Sequence, residues 1–129
     1  MLKHLKNFTP EEFESQKHPF SIKRLSTTIG AELLDIDLKK DLSQEEKDHI
    51  YDALLTYKVI FFRDQDLTTE EHLRFGKYFG ELEIHPFAPL GTNQDDYPEV
   101  LRITDDEDNK PKENAWHSDV TWRMVPSLG

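Results

Sequence analysis

Apolar and polar positions alternate with different periods along the chain, and each change of period marks an element. Thr9-Pro10-Glu11-Glu12 joins a capping hydroxyl, a proline suited to the first helical position and an acid three residues after the cap. It predicts a short helix ending near Lys17, before His18-Pro19. Phe20 to Leu25 then reads as a strand, and Thr28-Ile29-Gly30-Ala31 as a turn into a second strand, Glu32 to Ile36. Ser43-Gln44-Glu45-Glu46 repeats the capping pattern. Ile50, Ala53, Leu54 and Tyr57 follow at helical spacing, which predicts a helix from Gln44 to Tyr57. Val59 to Phe62 is β-branched and aromatic, apolar on both faces and too short for a helix, so it predicts a strand buried on both sides. Asp64-Gln65-Asp66 is a loop, and Arg63-Asp64 ends the strand in an ion pair or a turn. Thr68-Thr69-Glu70-Glu71 caps a third helix, with Leu73, Phe75 and Phe79 as packing residues and Gly80 as its stop.

From Glu81 the pattern loosens. Leu82 to Pro89 holds two prolines, and Gly91 to Pro98 reads as a polar loop. Val100 to Ile103 is a short strand, Asp105 to Asn114 a polar, acidic loop, and Ala115 to Val125 a return to β-type residues. The order is mixed α/β, with strands spaced too irregularly for a βαβ parallel pattern. No internal repeat and no low-complexity stretch is visible.

Composition narrows the classes of function. The 129 residues suffice for one domain, and 26 acidic against 16 basic side chains give a net charge of -10. That balance argues against a nucleic-acid binder and against a polybasic membrane-surface protein. Without cysteine there is no disulfide, thiolate metal site or thiol nucleophile. No apolar run approaches the roughly 20 residues of a membrane span, and residues 1–10 contain no secretory apolar core. A cytoplasmic protein is expected.

The sharpest chemical signal is Trp116-His117-Ser118-Asp119. In an extended segment, residues two apart share a face, so His117 and Asp119 present an imidazole and a carboxylate side by side. These are two of the three ligand types in the 2-His-1-carboxylate triad that holds non-haem Fe(II) and leaves positions open for oxygen chemistry. His-x-Asp alone is a weak signal, more often a polar pair at a strand edge than a metal site. His49 and His72 lie among charged neighbours on helices and read as solvated, and His4 and His18 have no carboxylate at metal spacing. Asp105 to Asp108 lacks the alternation and central glycine of a calcium loop and reads as solvated surface. Trp116 and Trp122 read as core.

The flanks of the His-x-Asp segment carry more. Asn114 to Trp122, with Pro126 shortly after, resembles the iron-binding segment of the TauD/TfdA family of Fe(II)- and 2-oxoglutarate-dependent dioxygenases. Leu54 to Leu67, Phe79 to Leu82 with Ile84-His85-Pro86, and Ile29 to Glu32 resemble other family segments, in the family's order from about Ser21 onward.

The resemblance implies a double-stranded β-helix (jelly roll) with flanking N-terminal helices, of which residues 1–129 form an incomplete, N-terminal part. It implies Fe(II) held by His117 and Asp119, 2-oxoglutarate as cosubstrate, dioxygen, and a small anionic substrate such as a sulfonate or sulfate ester. Hydroxylation beside the heteroatom would give an unstable product that collapses to an aldehyde. His85 falls where members place a histidine against the substrate's anionic group, with a plain loop histidine as the alternative. Glu113 and Asn114 would line the pocket. Glu113 stands where taurine-oxidising members carry an asparagine, and Ala88 where they carry a tyrosine, so taurine itself is disfavoured. The second histidine ligand and the arginine for 2-oxoglutarate are expected beyond Gly129, and Arg123 is not at the matching position. The chain alone is therefore expected to be inactive, to bind iron weakly and to be unstable or associating, and a homo-oligomer is allowed. Two other readings stay open: a truncated remnant acting as an interaction module, and a cupin-type metal enzyme of different chemistry.

Overall fold

A computed structural model describes residues 8–84, 93–94, 97–101, 116 and 123–124. The chain divides into two compact units, Met1–Tyr78 and Phe79–Gly129.

The first unit is built on three capping boxes. Helix α1 (Pro10–Glu14) is capped by Thr9, α2 (Gln44–Tyr57) by Ser43 and α3 (Thr69–Gly76) by Thr68. In each, the cap hydroxyl accepts from the backbone N–H three residues on, and the glutamate there accepts from the cap's own N–H. The α2 boundaries are those the sequence predicts. Helix α1 stops at Glu14, short of Lys17, because side chains claim its last carbonyls: the Ser15 hydroxyl donates to Glu12 O at 2.8 Å and His18 Nε2 meets Phe13 O at 2.7 Å. Helix α3 stops at Gly76 with Lys77 as its cap, four residues before Gly80. Leu73 and Phe75 are half-buried, and the Phe75 ring meets Phe62 edge-on at 5.4 Å.

Strand β1 (Ser21–Arg24) pairs antiparallel with β2 (Ala31–Leu34), placing Lys23 opposite Glu32. Gly30 at φ 90° supplies the left-handed turn into β2, a conformation glycine adopts without the steric cost that other residues carry. β2 ends at Leu34, short of Ile36, because Asp35 turns to φ 61°.

Strand β3 (Ile60–Phe61) pairs with β2 in parallel, giving the order β1-β2-β3. Two expectations change here. β2, α2 and β3 do form one βαβ crossover, despite the irregular strand spacing. β3 is also not buried on both sides: Val59 is 40% and Phe61 37% exposed, and among the described residues β2 is its one strand neighbour. The buried strand is β2, where Ala31, Glu32 and Leu33 are all sealed. The core joins Phe13, Phe20, Leu33, Leu38, Leu42, Ile50, Ala53 and Tyr57; α1 packs on α2, and α2 packs against β3. Gly30 N donates to Tyr57 O at 2.9 Å and Ala31 N to Val59 O at 3.1 Å, fastening the end of α2 to the start of β2.

In the second unit, β4 (Asn93–Gln94) pairs antiparallel with β5 (Tyr97–Leu101), with an irregular register at Asn93/Gln94. Part of the expected polar loop from Gly91 to Pro98 is thus a two-stranded ladder. β5 contains the expected Val100 and Leu101 but begins earlier, and Pro98 is tolerated because this ladder has only two strands among the described residues. The observed class is mixed α/β with a small three-stranded sheet and a separate two-stranded ladder. No helix among the described residues is long and apolar enough to cross a membrane.

Candidate functional site

Two of the segments that carry the family resemblance, Ile29 to Glu32 and Leu54 to Leu67, lie in a braced frame in the first unit. Glu32 is the one buried acid of β2, and it accepts from Arg63 Nε at 2.7 Å while pairing with Lys23 Nζ at 3.2 Å. The hydrogen bond from Arg63, then that from Lys23, holds the Glu32 carboxyl below the ordinary carboxylate range. Asp64 turns the chain at φ 55°, so Arg63-Asp64 supplies both an ion pair and a turn, as expected. Gln65 is less exposed to inference from sequence: it reads as a loop residue, yet its side chain makes three ties. Its Oε1 accepts from Leu38 N at 3.0 Å, and its Nε2 donates to Ile36 O at 3.1 Å and Arg63 O at 3.0 Å. Arg74 of α3 adds bonds to Leu38 O and Lys39 O and an ion pair with Asp41 at 3.2 Å. The 36–41 segment is therefore held by side chains from two later elements. The Arg-Asp-Gln stretch is structural bracing.

A second network joins α1, β1 and α2. Arg24 grips Glu14 through two nitrogens, at 2.9 and 3.1 Å, and Glu11 at 2.8 Å. The Tyr57 hydroxyl donates to Glu14 Oε1 at 2.8 Å. Arg24 lowers the pKa of both glutamates, while burial and the bond to Glu14 push Tyr57 up.

The expected metal ligands His117 and Asp119, and the expected pocket residues His85, Glu113 and Asn114, all lie outside the described residues. Beside them, Trp116 is fully exposed, which corrects its expected place in the core. Arg123 forms an ion pair with Glu83. Among the described residues no group of three or more His, Cys, Asp or Glu side chains gathers into a metal-binding set. His72 is exposed, as expected, but His49 is not simply solvated: it is half-buried and meets His18. Their separation of 31 positions leaves no local pattern by which sequence could associate them.

Comparison with known proteins settles the lineage. The family model "Taurine catabolism dioxygenase TauD, TfdA family" matches residues 21–129, the whole span that carries the sequence resemblance. The chain belongs to the TauD/TfdA family. Among its TauD/TfdA relatives, the alkylsulfatase of Acinetobacter baylyi is 35% identical over 102 residues, covering 78% of this chain and 31% of the relative. The alpha-ketoglutarate-dependent sulfate ester dioxygenase of Pseudomonas putida is 34% identical over 116 residues, covering 88% and 35%. The (S)-phenoxypropionate/alpha-ketoglutarate-dioxygenase of Sphingobium herbicidovorans is 32% identical, covering 85% and 38%. The chain thus spans about a third of the length of the curated relatives it matches. In structure it is similar to a taurine dioxygenase from Burkholderia xenovorans, with a TM-score of 0.58 and 42% identity over 64% of this chain and 29% of that one.

Proposed function

We infer that this TauD/TfdA chain is the N-terminal part of a single jelly-roll dioxygenase domain that uses Fe(II) and 2-oxoglutarate to hydroxylate a small organic anion. One observation supports this reading above the others: the span matched by the family model, residues 21–129, takes in His117-Ser118-Asp119. The donor chemistry suits the ion, since imidazole plus carboxylate, with no thiolate in the chain, fits Fe(II). When bound, iron with 2-oxoglutarate would supply the oxidising power for hydroxylation.

The chain's own residues would do the placing. His117 and Asp119 would hold the metal from one face of an extended segment. His85 would donate a hydrogen bond to the substrate's anionic oxygen, strengthened by charge if the ring is protonated. Glu113 and Asn114 would line the pocket. A sulfate ester is the favoured substrate class, because two relatives carry that chemistry in their names and Glu113 and Ala88 depart from the taurine pattern.

The test is turnover by the gene product that carries this chain, given Fe(II), 2-oxoglutarate and a medium-chain alkyl sulfate. Succinate and sulfate formed in equal amounts, and both abolished by Asp119→Ala, are the expected result. Sulfate released without 2-oxoglutarate consumption would refute the reading.

A further inference from the structure

Two histidines from distant parts of the chain meet where the α1–β1 connection lies against α2. Their Nδ1 atoms are 2.9 Å apart, with ring planes at 85° and centroids 5.0 Å apart. The far nitrogen of His18, Nε2, lies 2.7 Å from the Phe13 carbonyl oxygen. A carbonyl only accepts, so Nε2 carries a hydrogen, and the Nδ1 of a neutral His18 turns a lone pair toward His49. His18 also packs against Phe13, at 4.2 Å between centroids, and stacks with Phe20 at 5.9 Å. These contacts fix the ring's plane. Both histidines are only half-buried, so solvent reaches the pair.

Without an ion this is a hydrogen bond in which His49 donates from Nδ1 and His18 accepts. The same spacing is one edge of a coordination sphere. Two nitrogens about 2.05 Å from one ion and about 90° apart are about 2.9 Å from each other, whereas a tetrahedral angle sets them about 3.3 Å apart. The His18 Nε2–H bond to a backbone carbonyl is also the outer contact that metal-binding histidines make, fixing tautomer and orientation.

We propose that His18 and His49 form a chelating site for a divalent ion that favours imidazole and tetragonal geometry, Cu(II) or Ni(II). The ion replaces the hydrogen bond and sits to one side of the line between the two nitrogens. His49 moves its hydrogen from Nδ1 to Nε2, both Nδ1 lone pairs face the ion, and no proton is lost from a neutral pair. No third protein ligand joins them among the described residues, so water completes the shell and the site is weaker than a closed structural zinc centre. It is separate from the ligands assigned to iron and does not rest on that assignment.

The test uses the full chain carrying His117→Ala and Asp119→Ala, so that those ligands cannot contribute. Copper(II) is titrated in and its electron paramagnetic resonance spectrum recorded, with zinc(II) as the competitor. The expected result is one Cu(II) per chain, with couplings from two imidazole nitrogens and tighter binding than Zn(II), as the divalent series orders them. His18→Gln or His49→Gln should each weaken binding at least about tenfold, since losing even an outer-shell partner costs about 10–100-fold. A spectrum with fewer than two coupled imidazoles while both histidines are present, or an affinity unchanged in both variants, overturns the proposal and leaves a histidine hydrogen bond only. The spectrum of the intact pair keeps the test valid if either variant misfolds.

Discussion

The hydroxyls of Tyr57 and Tyr78 sit in opposite circumstances. Tyr57 is sealed at 1% exposure and donates to Glu14, whereas the buried Tyr78 hydroxyl has no hydrogen-bond partner among the described residues. Replacing each by phenylalanine should therefore give effects of opposite character. Tyr57→Phe removes a bond to a carboxylate and should cost about 1 kcal/mol. Tyr78→Phe removes an unmet polar group, keeps the ring beneath Lys47 Nζ (4.1 Å from its centroid), and should be neutral or stabilising by up to about 1 kcal/mol. Urea unfolding of the two variants checks both, and equal losses would refute the contrast. At this scale the sequence was informative where chemistry is local and mute where it is not. Arg63-Asp64 announced a turn and an ion pair, but nothing local names Glu32, 31 positions away, as the partner. Gln65 and the His18–His49 pair were hidden for the same reason.

Helix starts were legible because a capping box is complete within four residues. Ser43→Ala should thus cost about 1 kcal/mol, seen as a lower urea midpoint with an unchanged slope. A loss near zero would mean that tertiary packing alone sets the start of α2. Helix ends were less legible: α1 is cut short by a histidine that reaches back to Phe13 O, a tertiary contact absent from any helix rule. The β2–β3 pairing escaped for a related reason. Its parallel register depends on a 14-residue helix returning the chain, and the two paired residues of β3 carry too little pattern to show which strand they join. An apolar run of four suggested two-sided burial, yet β2, with Glu32 in its middle, is the sealed strand. Glu32 escapes the usual rule for acids because Arg63 and Lys23 both reach it.

Across the whole molecule, net charge -10 coexists with acids held below their ordinary range by specific partners. Glu11 and Glu14 are lowered by Arg24, Glu32 by Arg63 and Lys23, and Asp37 by the Lys39 backbone N–H. A lowered folded pKa contributes stability that is whole above the unfolded value and is lost as pH falls through the folded one. Stability should therefore drop on the acid side of 4.5, the ordinary value of the glutamates. Tyr57 has the opposite sign: its raised pKa contributes below 10.0, its ordinary value, and that contribution fades as pH climbs through the folded value. Thermal melts across pH should show both limbs. Arg24→Gln should flatten the acid limb, because two of the lowered glutamates lose the partner that lowers them. An acid limb unchanged in that variant would show that the Arg24 network does not control it.

Family membership rests on motifs spread from Ile29 to Asp119, and the described residues show what the earlier ones do. They fold and brace a βαβ frame, while the chemistry is proposed for residues further along. We propose that His117 and Asp119 hold iron. The direct measurement is an anaerobic Fe(II) titration of the gene product carrying this chain, alongside its His117→Ala and Asp119→Ala variants. Affinity should fall by at least about 10–100-fold in each variant, the scale on which even outer-shell losses weaken metal binding. Iron bound equally well with either side chain removed would contradict the claim.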